Sequence, residues 1–108
     1  MSWVKITTFV PLEAAAAVRQ ALGDAGAGVI GEYHFCSFSV QGVGRYLPGN
    51  ETKPYRGENG ILSEETEERV EVVCDRASAK QVIAALKQAH PYEEVAFDIV
   101  PLIDEEEL

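Results

Sequence analysis

Apolar and polar residues alternate with a period of two in several segments of the chain. Segments 3–10 and 68–75 each collect branched aliphatic residues on one side, which is typical of strands with one buried face. The residues predicted to face the core are Val4, Ile6, Thr8, Val10, Val70, Val72 and Cys74. Segment 33–41 also alternates, and it is predicted to be a strand whose core side carries His34, Cys36, Phe38 and Val40. The apolar segment 94–102 predicts a final strand.

Two other segments have the spacing of helices. Pro11 ends the first strand and suits the first turn of an alanine-rich helix, which a run of glycines between residues 23 and 28 is expected to end. The second helix is predicted over 77–90, with either Asp75 or Ser78 as its cap. Its apolar stripe consists of Ala79, Val82, Ile83, Leu86 and Ala89.

The order of these elements is strand, helix, strand, strand, helix, strand. It predicts an α+β fold, a ferredoxin-like βαββαβ sandwich in one domain over residues 1–108, with both helices on one face of the sheet. The other face should mix polar residues with Trp3 and Phe9, and large apolar groups there suggest contact between subunits. The polar residues expected on that face are Lys5, Thr7, Ser37, Ser39, Glu71 and Asp98.

A long connection is predicted between the second and third strands, over residues 42–68. It contains five glycines and two prolines, and connections of more than roughly 12–15 residues are often functional in compact domains. Arg45, Lys53 and Arg56, near Tyr46 and Tyr55, are candidates to bind an anion or a planar ring. The alternative is an ordinary solvated, charged loop.

Composition and charge indicate which kinds of partner the protein is not expected to bind. The chain has 108 residues, 46% of them hydrophobic, and this fits one globular domain. Its net charge of −9, to which the acidic tail 103–108 contributes, argues against nucleic-acid binding. No apolar run approaches the roughly 18 residues of a membrane span, and no export signal is evident, so we expect a cytoplasmic protein away from membranes. The two cysteines are expected to be free thiols.

The segment His-Pro-Tyr-Glu-Glu at residues 90–94 concentrates polar chemistry. Pro91 cannot continue a helix, and His90 in a last helical turn interacts well with the exposed carbonyl groups, so helix termination accounts for much of the pattern. The alternative is that His90, Tyr92, Glu93 and Glu94 contact a ligand, bind a metal or transfer protons.

A metal site is a second hypothesis for the histidines. His34 and Cys36 lie on the same side of the predicted strand, and His90 and Glu93 would complete a set that suits copper or zinc. Packing of Cys36 in the core is the alternative. The chain has no Ser/His/Asp arrangement and no phosphate-binding glycine motif, so a hydrolase is the least supported class and no cofactor is required.

Four blocks of sequence resemble the inserted domain of the NIF-three-like family, which is also called the dinuclear-metal-centre or GTP-cyclohydrolase-type-two-like family. They are AGAGVIGEYHFCSFSVQGVGRYLPG at 25–49, PYRGENG at 54–60, EERVEVVC at 67–74 and VIAALKQAHPYEEVAFDIVPL at 82–102. The resemblance implies a CutA/PII-like, ferredoxin-like fold and a homotrimer. CutA-type proteins are also similar at His90 to Glu93.

The family's paired metals are bound by the flanking domains, so the resemblance provides no metal ligands here, where His34 and His90 are the only histidines. It implies a non-catalytic, oligomeric regulatory module that binds a small ligand, an ion or a protein partner through residues 42–68 and 90–94. The alternatives are a divalent-metal-binding or metal-tolerance protein of CutA type and a hydrolase-related protein.

Overall fold

The computed structural model describes residues 2–108, which form four strands and two α-helices. The elements are β1 (Trp3–Pro11), α1 (Leu12–Asp24), β2 (Phe38–Tyr46), β3 (Ser63–Asp75), α2 (Ala79–Ala89) and β4 (Phe97–Leu102). The strands form one antiparallel sheet in the order β2-β3-β1-β4. The predicted ferredoxin-like α+β arrangement is confirmed.

The core lies between the two helices and one face of the sheet, here called the helix side. The register pairs Val4 with Cys74, Ile6 with Val72 and Thr8 with Val70, so the alternating residues of β1 and β3 share this side. Val18 and Leu22 of α1 and Val82 and Leu86 of α2 cover them. All seven residues predicted from the two strand patterns are buried. The buried hydroxyl of Thr8 donates to the carbonyl oxygen of Ala96 at 2.9 Å, which satisfies its polar group.

The helix ends follow the local sequence. Pro11 is extended at the start of α1, and Gly26, with φ of 106°, adopts the left-handed conformation just after its end. Of the two predicted caps for the second helix, Asp75 is the one that bonds. Its side chain accepts from the backbone N–H of Ala77 at 3.0 Å and begins a 3-10 turn at Arg76–Ser78 that leads into α2.

The prediction for segment 33–41 was wrong in its start and in its face. Strand β2 begins at Phe38, because Phe35 has a positive φ of 56°, which interrupts an extended backbone. Ser39 pairs with Val70 and therefore lies on the helix side, whereas Phe38 and Val40 point away from the core and are 64% and 43% exposed. A shift of one residue in register exchanges the two faces of a strand, and both faces of this segment are mixed.

The connection between β2 and β3 is also shorter than predicted. The two strands remain paired from Gly42–Glu67 to Tyr46–Ser63, so the connection covers residues 47–62 rather than 42–68. We call residues 47–62 the cleft loop. The final strand begins at Phe97, later than predicted, and the acidic tail contains a 3-10 turn at Glu105–Glu107.

The open side of the sheet, opposite the helices, has two regions. Near the start of β1 it carries an apolar group of residues that we call the open-face patch: Trp3, Phe38, Val73, Val100 and Leu102. In this group Val100 is 49% exposed. Lys5, Thr7, Glu71 and Asp98 share this side as predicted, whereas Ser39 does not and Ser37 precedes the strand. Near the end of β1, the open side forms a cleft.

Membrane insertion through a helix finds no support in the described residues. No helix within 2–108 combines the length and the apolar character that crossing a bilayer requires.

Candidate functional site

The cleft at the end of β1 has a volume of about 780 Å³. Its floor is the open side of the sheet, one wall is the segment after α2, and the cleft loop covers it. The floor and wall residues include Phe9, Val40, Gly42, Gly44, Tyr46, Glu67, Arg69, Tyr92, Glu93 and Glu94. A cleft of this volume can accommodate a small organic molecule.

His90 fixes the wall to the end of β1. It is buried, and its Nε2 lies 2.7 Å from the carbonyl oxygen of Phe9, while the backbone N–H of Tyr92 donates to its Nδ1 at 3.1 Å. Because a carbonyl oxygen only accepts and a backbone N–H only donates, the imidazole is neutral with its proton on Nε2. Burial lowers the pKa of His90, which favours the same neutral form. Both ring nitrogens are therefore occupied within the chain.

Tyr92 connects the wall to the floor. Its hydroxyl donates to Oε2 of Glu67 at 2.7 Å, and Glu67 is buried. Burial raises the pKa of Tyr92, and the hydrogen bond to Glu67 raises it further, so the phenol stays protonated as a donor. Gly44 makes room for this carboxylate, because a Cβ at Gly44 would lie 1.8 Å from Oε1 of Glu67.

Aromatic rings surround Tyr92. Its ring centroid lies 4.8 Å from that of His90, 6.1 Å from that of Tyr46 and 6.0 Å from that of Tyr55, all in tilted arrangements. Such tilted pairs are the favourable geometry for aromatic side chains. The Tyr46 hydroxyl donates to the carbonyl oxygen of Arg56 at 3.0 Å. Burial raises the pKa of Tyr46, as does the nearby carboxylate of Glu65. The rings thus pack together along one side of the cleft and carry hydroxyl groups at their ends.

The cleft loop is attached to both sides of the cleft. The backbone N–H of Lys53 donates to Oε1 of Glu93 at 2.9 Å, and the hydroxyl of Tyr55 donates to Oε1 of Glu13 at 2.9 Å. The guanidinium of Arg56 also binds Glu13, and it lies 3.8 Å from Glu65. A backbone hydrogen bond at the start of α1 lowers the pKa of Glu13, and Tyr55 and Arg56 lower it further. Glu13 therefore acts as a charged anchor for the loop.

The structure separates the residues of the predicted metal set. His34 and Cys36 lie in the connection between α1 and β2, where the backbone N–H of Cys36 donates to Gly28, which in turn donates to Val73. Val73 is six residues from Glu67 along β3, or roughly 20 Å at the rise of a strand. His34 and Cys36 are thus at the opposite end of the sheet from His90 and Glu93. Within residues 2–108, no three His, Cys, Asp or Glu side chains are grouped to bind a metal ion.

The predicted loop cations are near the cleft, but two of them are already paired. Nε of Arg45 lies 3.6 Å from Oε1 of Glu64, and Arg56 binds Glu13 as described. Lys53 contributes its backbone N–H, and Glu94 lines the cleft next to Glu93.

Sequence reasoning missed Phe9, Gly44, Glu67 and Arg69 as cleft residues. The available signal was the alternation of β3, which places Glu67 and Arg69 on its open side. Assigning Glu67 and Arg69 to the cleft requires knowing that β3 begins at Ser63 and pairs with β2 there.

Comparison with known proteins places the chain within longer relatives. No family model matches it. It is 48% identical over 98 residues to the GTP cyclohydrolase 1 type 2 homolog of Bacillus subtilis, a match that covers 91% of this chain and 26% of that protein. The homolog of the same name from Mycobacterium tuberculosis is 46% identical over 99 residues, with 92% and 26% covered. The chain thus spans about a quarter of the length of the curated relatives it matches.

Comparison with solved structures identifies a NIF3-related protein as similar and also shows the fold. A Bacillus cereus protein related to NIF3 superposes with a TM-score of 0.82 at 43% identity, over 95% of this chain and 26% of that chain. CutA1 from Shewanella sp. SIB1 superposes with a TM-score of 0.70 at 18% identity, over 94% and 82%. Bacillus subtilis GlnK superposes with a TM-score of 0.58 at 16% identity, over 94% and 86%, and at such identities the likeness concerns the fold alone. The chain is therefore a homologue of one segment of the NIF3-related proteins, and it has the CutA/PII-like fold.

Proposed function

We propose that this domain is a non-catalytic, self-associating module that binds a small ligand in the cleft. The observation that carries the proposal is that the cleft is held open by contacts within the chain. His90 and Tyr92 fix its wall, and Glu13 and Glu93 fix the cleft loop. A preformed site loses little conformational entropy when a ligand binds.

Binding is favoured over catalysis because three titratable groups of the cleft, those of His90, Tyr92 and Glu93, are already engaged. Both nitrogens of His90 are bonded, the Tyr92 hydroxyl donates to Glu67, and Glu93 accepts from Lys53. A general acid or base must reach a proton of the substrate, and these groups would first have to break their own bonds. The cyclohydrolase in the name of the relatives belongs to proteins about four times longer than this match, and we do not extend it to this domain.

Self-association is supported by the open-face patch. Phe38 is 64% exposed and Leu102 is 37% exposed, with Trp3 and Val73 between them on the same side of the sheet. Lys5 lies between Val73 and Val100 on this side, so the patch is an apolar surface with a charge inside it. Exposed apolar surface commonly marks a contact between proteins. Most of the patch lies toward the start of β1 and the cleft lies toward its end, and the two surfaces adjoin on β2, where Phe38 is two residues from Val40 of the cleft lining. A homotrimer is the assembly we propose.

Two variants test the assembly. Phe38→Asp places a charge in the open-face patch, and it is expected to convert the trimer into monomers in light scattering. Val43→Asp is the matched control, because Val43 is on the same strand and 53% exposed, but it faces the helix side. A wild-type monomer, or equal behaviour of the two variants, would contradict the proposed interface.

Ligand binding is tested by filling the cleft. Gly42 lines the cleft, and a Cβ placed on it meets no atom within 4 Å. Gly42→Phe should therefore occupy the cleft and leave the fold intact. Ligand-observed NMR with a library of small aromatic molecules is expected to give binders that the variant no longer binds. If the variant retained every binder, the cleft would not be the site.

A further inference from the structure

The three arginines that line the cleft differ in their contacts. Arg45 pairs with Glu64, and Arg56 pairs with Glu13 and Glu65. Arg69, also in the cleft lining, takes part in no ion pair and no side-chain hydrogen bond of the described chain. A guanidinium carries five N–H donors in a rigid plane, and all of them remain available at Arg69.

The residues next to Arg69 in the sheet leave its guanidinium without a carboxylate partner. In the register of the sheet it lies between Phe9 and Val40, which are both apolar and both line the cleft. The carboxylate of Glu67, two residues earlier on the same side of β3, is engaged by Tyr92 instead. Arg69 is exposed and Val40 is 43% exposed, so pairing with an oxyanion would rest on the free, charged donors of the guanidinium and not on burial.

Aromatic groups provide the second feature of the cleft. Tyr46, Tyr55 and Tyr92 all line it, and Tyr55 is 46% exposed. We propose that the ligand is a small molecule that combines a planar ring with an oxyanion, either a carboxylate or a phosphate. The oxyanion pairs with Arg69, and the ring packs against Tyr92, whose hydroxyl bonds to Glu67 two residues from Arg69 on β3. This inference rests on the proposed function of the cleft and specifies the class of ligand.

Other classes of ligand fit less well. A divalent cation needs several free carboxylates, whereas two of the three in the cleft lining, Glu67 and Glu93, are already bonded within the chain, which leaves Glu94. The net charge of −9 opposes an anion at long range. Salt screens that repulsion beyond about 8 Å at physiological ionic strength, so the direct pair with Arg69 decides the affinity. A bare inorganic anion would leave the aromatic side of the cleft unused.

NMR titrations of ¹⁵N-labelled protein test the inference with three probes: benzoate, phenyl phosphate and the neutral benzyl alcohol. The two anions should bind saturably and shift the amide signals of Gly42 and Gly44, and benzyl alcohol should bind more weakly. Arg69→Gln should weaken the anions about 10- to 100-fold, which is the effect of losing hydrogen bonds to a charged group. Arg45→Gln is the matched control: it also removes one positive charge from the cleft lining, but this arginine is already paired with Glu64. It should change the affinity for the two anions less than about twofold.

The outcomes separate the two proposals. If benzyl alcohol binds as well as the anions, or if the two arginine variants weaken the anions equally, the assignment to Arg69 is overturned while the cleft stands as a binding site. If none of the three probes binds saturably, both the ligand class and the use of the cleft are contradicted. A preference between benzoate and phenyl phosphate identifies which oxyanion the cleft accepts. Thermal melting of Arg69→Gln shows whether the variant is folded, as its exposed position predicts.

Discussion

The hydrogen bond between Tyr92 and Glu67 depends on the absence of a side chain at Gly44. In Gly44→Ala, the new methyl group would lie 1.8 Å from Oε1 of Glu67, which is far closer than any real contact. The carboxylate must therefore move, although it is buried and bonded at 2.7 Å to the Tyr92 hydroxyl. The substitution should separate the wall of the cleft from its floor.

The cost can be worked out from that bond. A hydrogen bond to a charged group contributes about 1.5–3 kcal/mol, and a displaced buried carboxylate adds a desolvation cost of its own. We expect Gly44→Ala to lower the free energy of unfolding by roughly 2–3 kcal/mol, which corresponds to about 10 °C in melting temperature for a domain of this size. Urea unfolding followed by circular dichroism measures the change.

Gly42→Ala is the matched control, because it lies on the same strand and a Cβ there meets nothing within 4 Å. It should be neutral or stabilise the fold by up to about 1 kcal/mol, since alanine restricts the unfolded chain. In a Tyr92→Phe background, the cost of Gly44→Ala should fall, because the bond that it breaks is already absent. Equal stabilities of the two alanine variants, or an unchanged cost in the Tyr92→Phe background, would show that the Tyr92–Glu67 bond does not depend on Gly44.

Two further predictions concern the contacts that hold the cleft. Burial lowers the pKa of His90 in the folded protein below its ordinary value of 6.5, so His90 of the unfolded chain is protonated first as the pH falls. The free energy of unfolding should therefore be full above about pH 6.5 and decline as the pH falls toward the lowered pKa. His90→Gln keeps an amide that can donate to the carbonyl oxygen of Phe9 but removes the titrating imidazole. Urea unfolding between about pH 5 and 7 should show that the free energy of unfolding depends less on pH in this variant than in wild type. The same pH dependence in both proteins would contradict the role of His90. Glu13→Gln should speed amide hydrogen exchange in the cleft loop with less than about 1 kcal/mol lost in global stability, because the contacts of Glu13 are exposed. The control Glu64→Gln, which breaks only an exposed pair with Arg45, should leave that exchange unchanged, and equal acceleration by both would count against the role of Glu13.

The central part of the fold could be predicted from the sequence because β1 and β3 alternate cleanly. Their aliphatic residues face two helices whose apolar stripes are equally clear, and Val82 and Leu86 are buried as the stripe of α2 predicts. The order of the elements then leaves few possible topologies. Strand β2 is an edge strand with mixed faces, so its pattern did not determine which side faces the core.

The candidate site could be predicted only in part, since it depends on register. The concentration of polar groups at residues 90–94 is visible in the sequence, and the helix end explains His90 and Pro91 locally. The pairing of Tyr92 with Glu67, 25 residues apart, follows from the position of β3 beside β2 and not from any local motif. The same is true of Arg69, whose neighbours Phe9 and Val40 come from two different strands.

Native mass spectrometry of the protein as purified is the sharpest test of a self-associating, ligand-binding domain, because it counts subunits and detects retained molecules together. We expect a homotrimer whose subunits bind a small organic molecule, and the Gly42→Phe variant should keep the trimer and lose the bound molecule. A monomer without any bound molecule would contradict the proposed function. Retention of one divalent metal ion per chain would contradict it in favour of the metal-binding alternative.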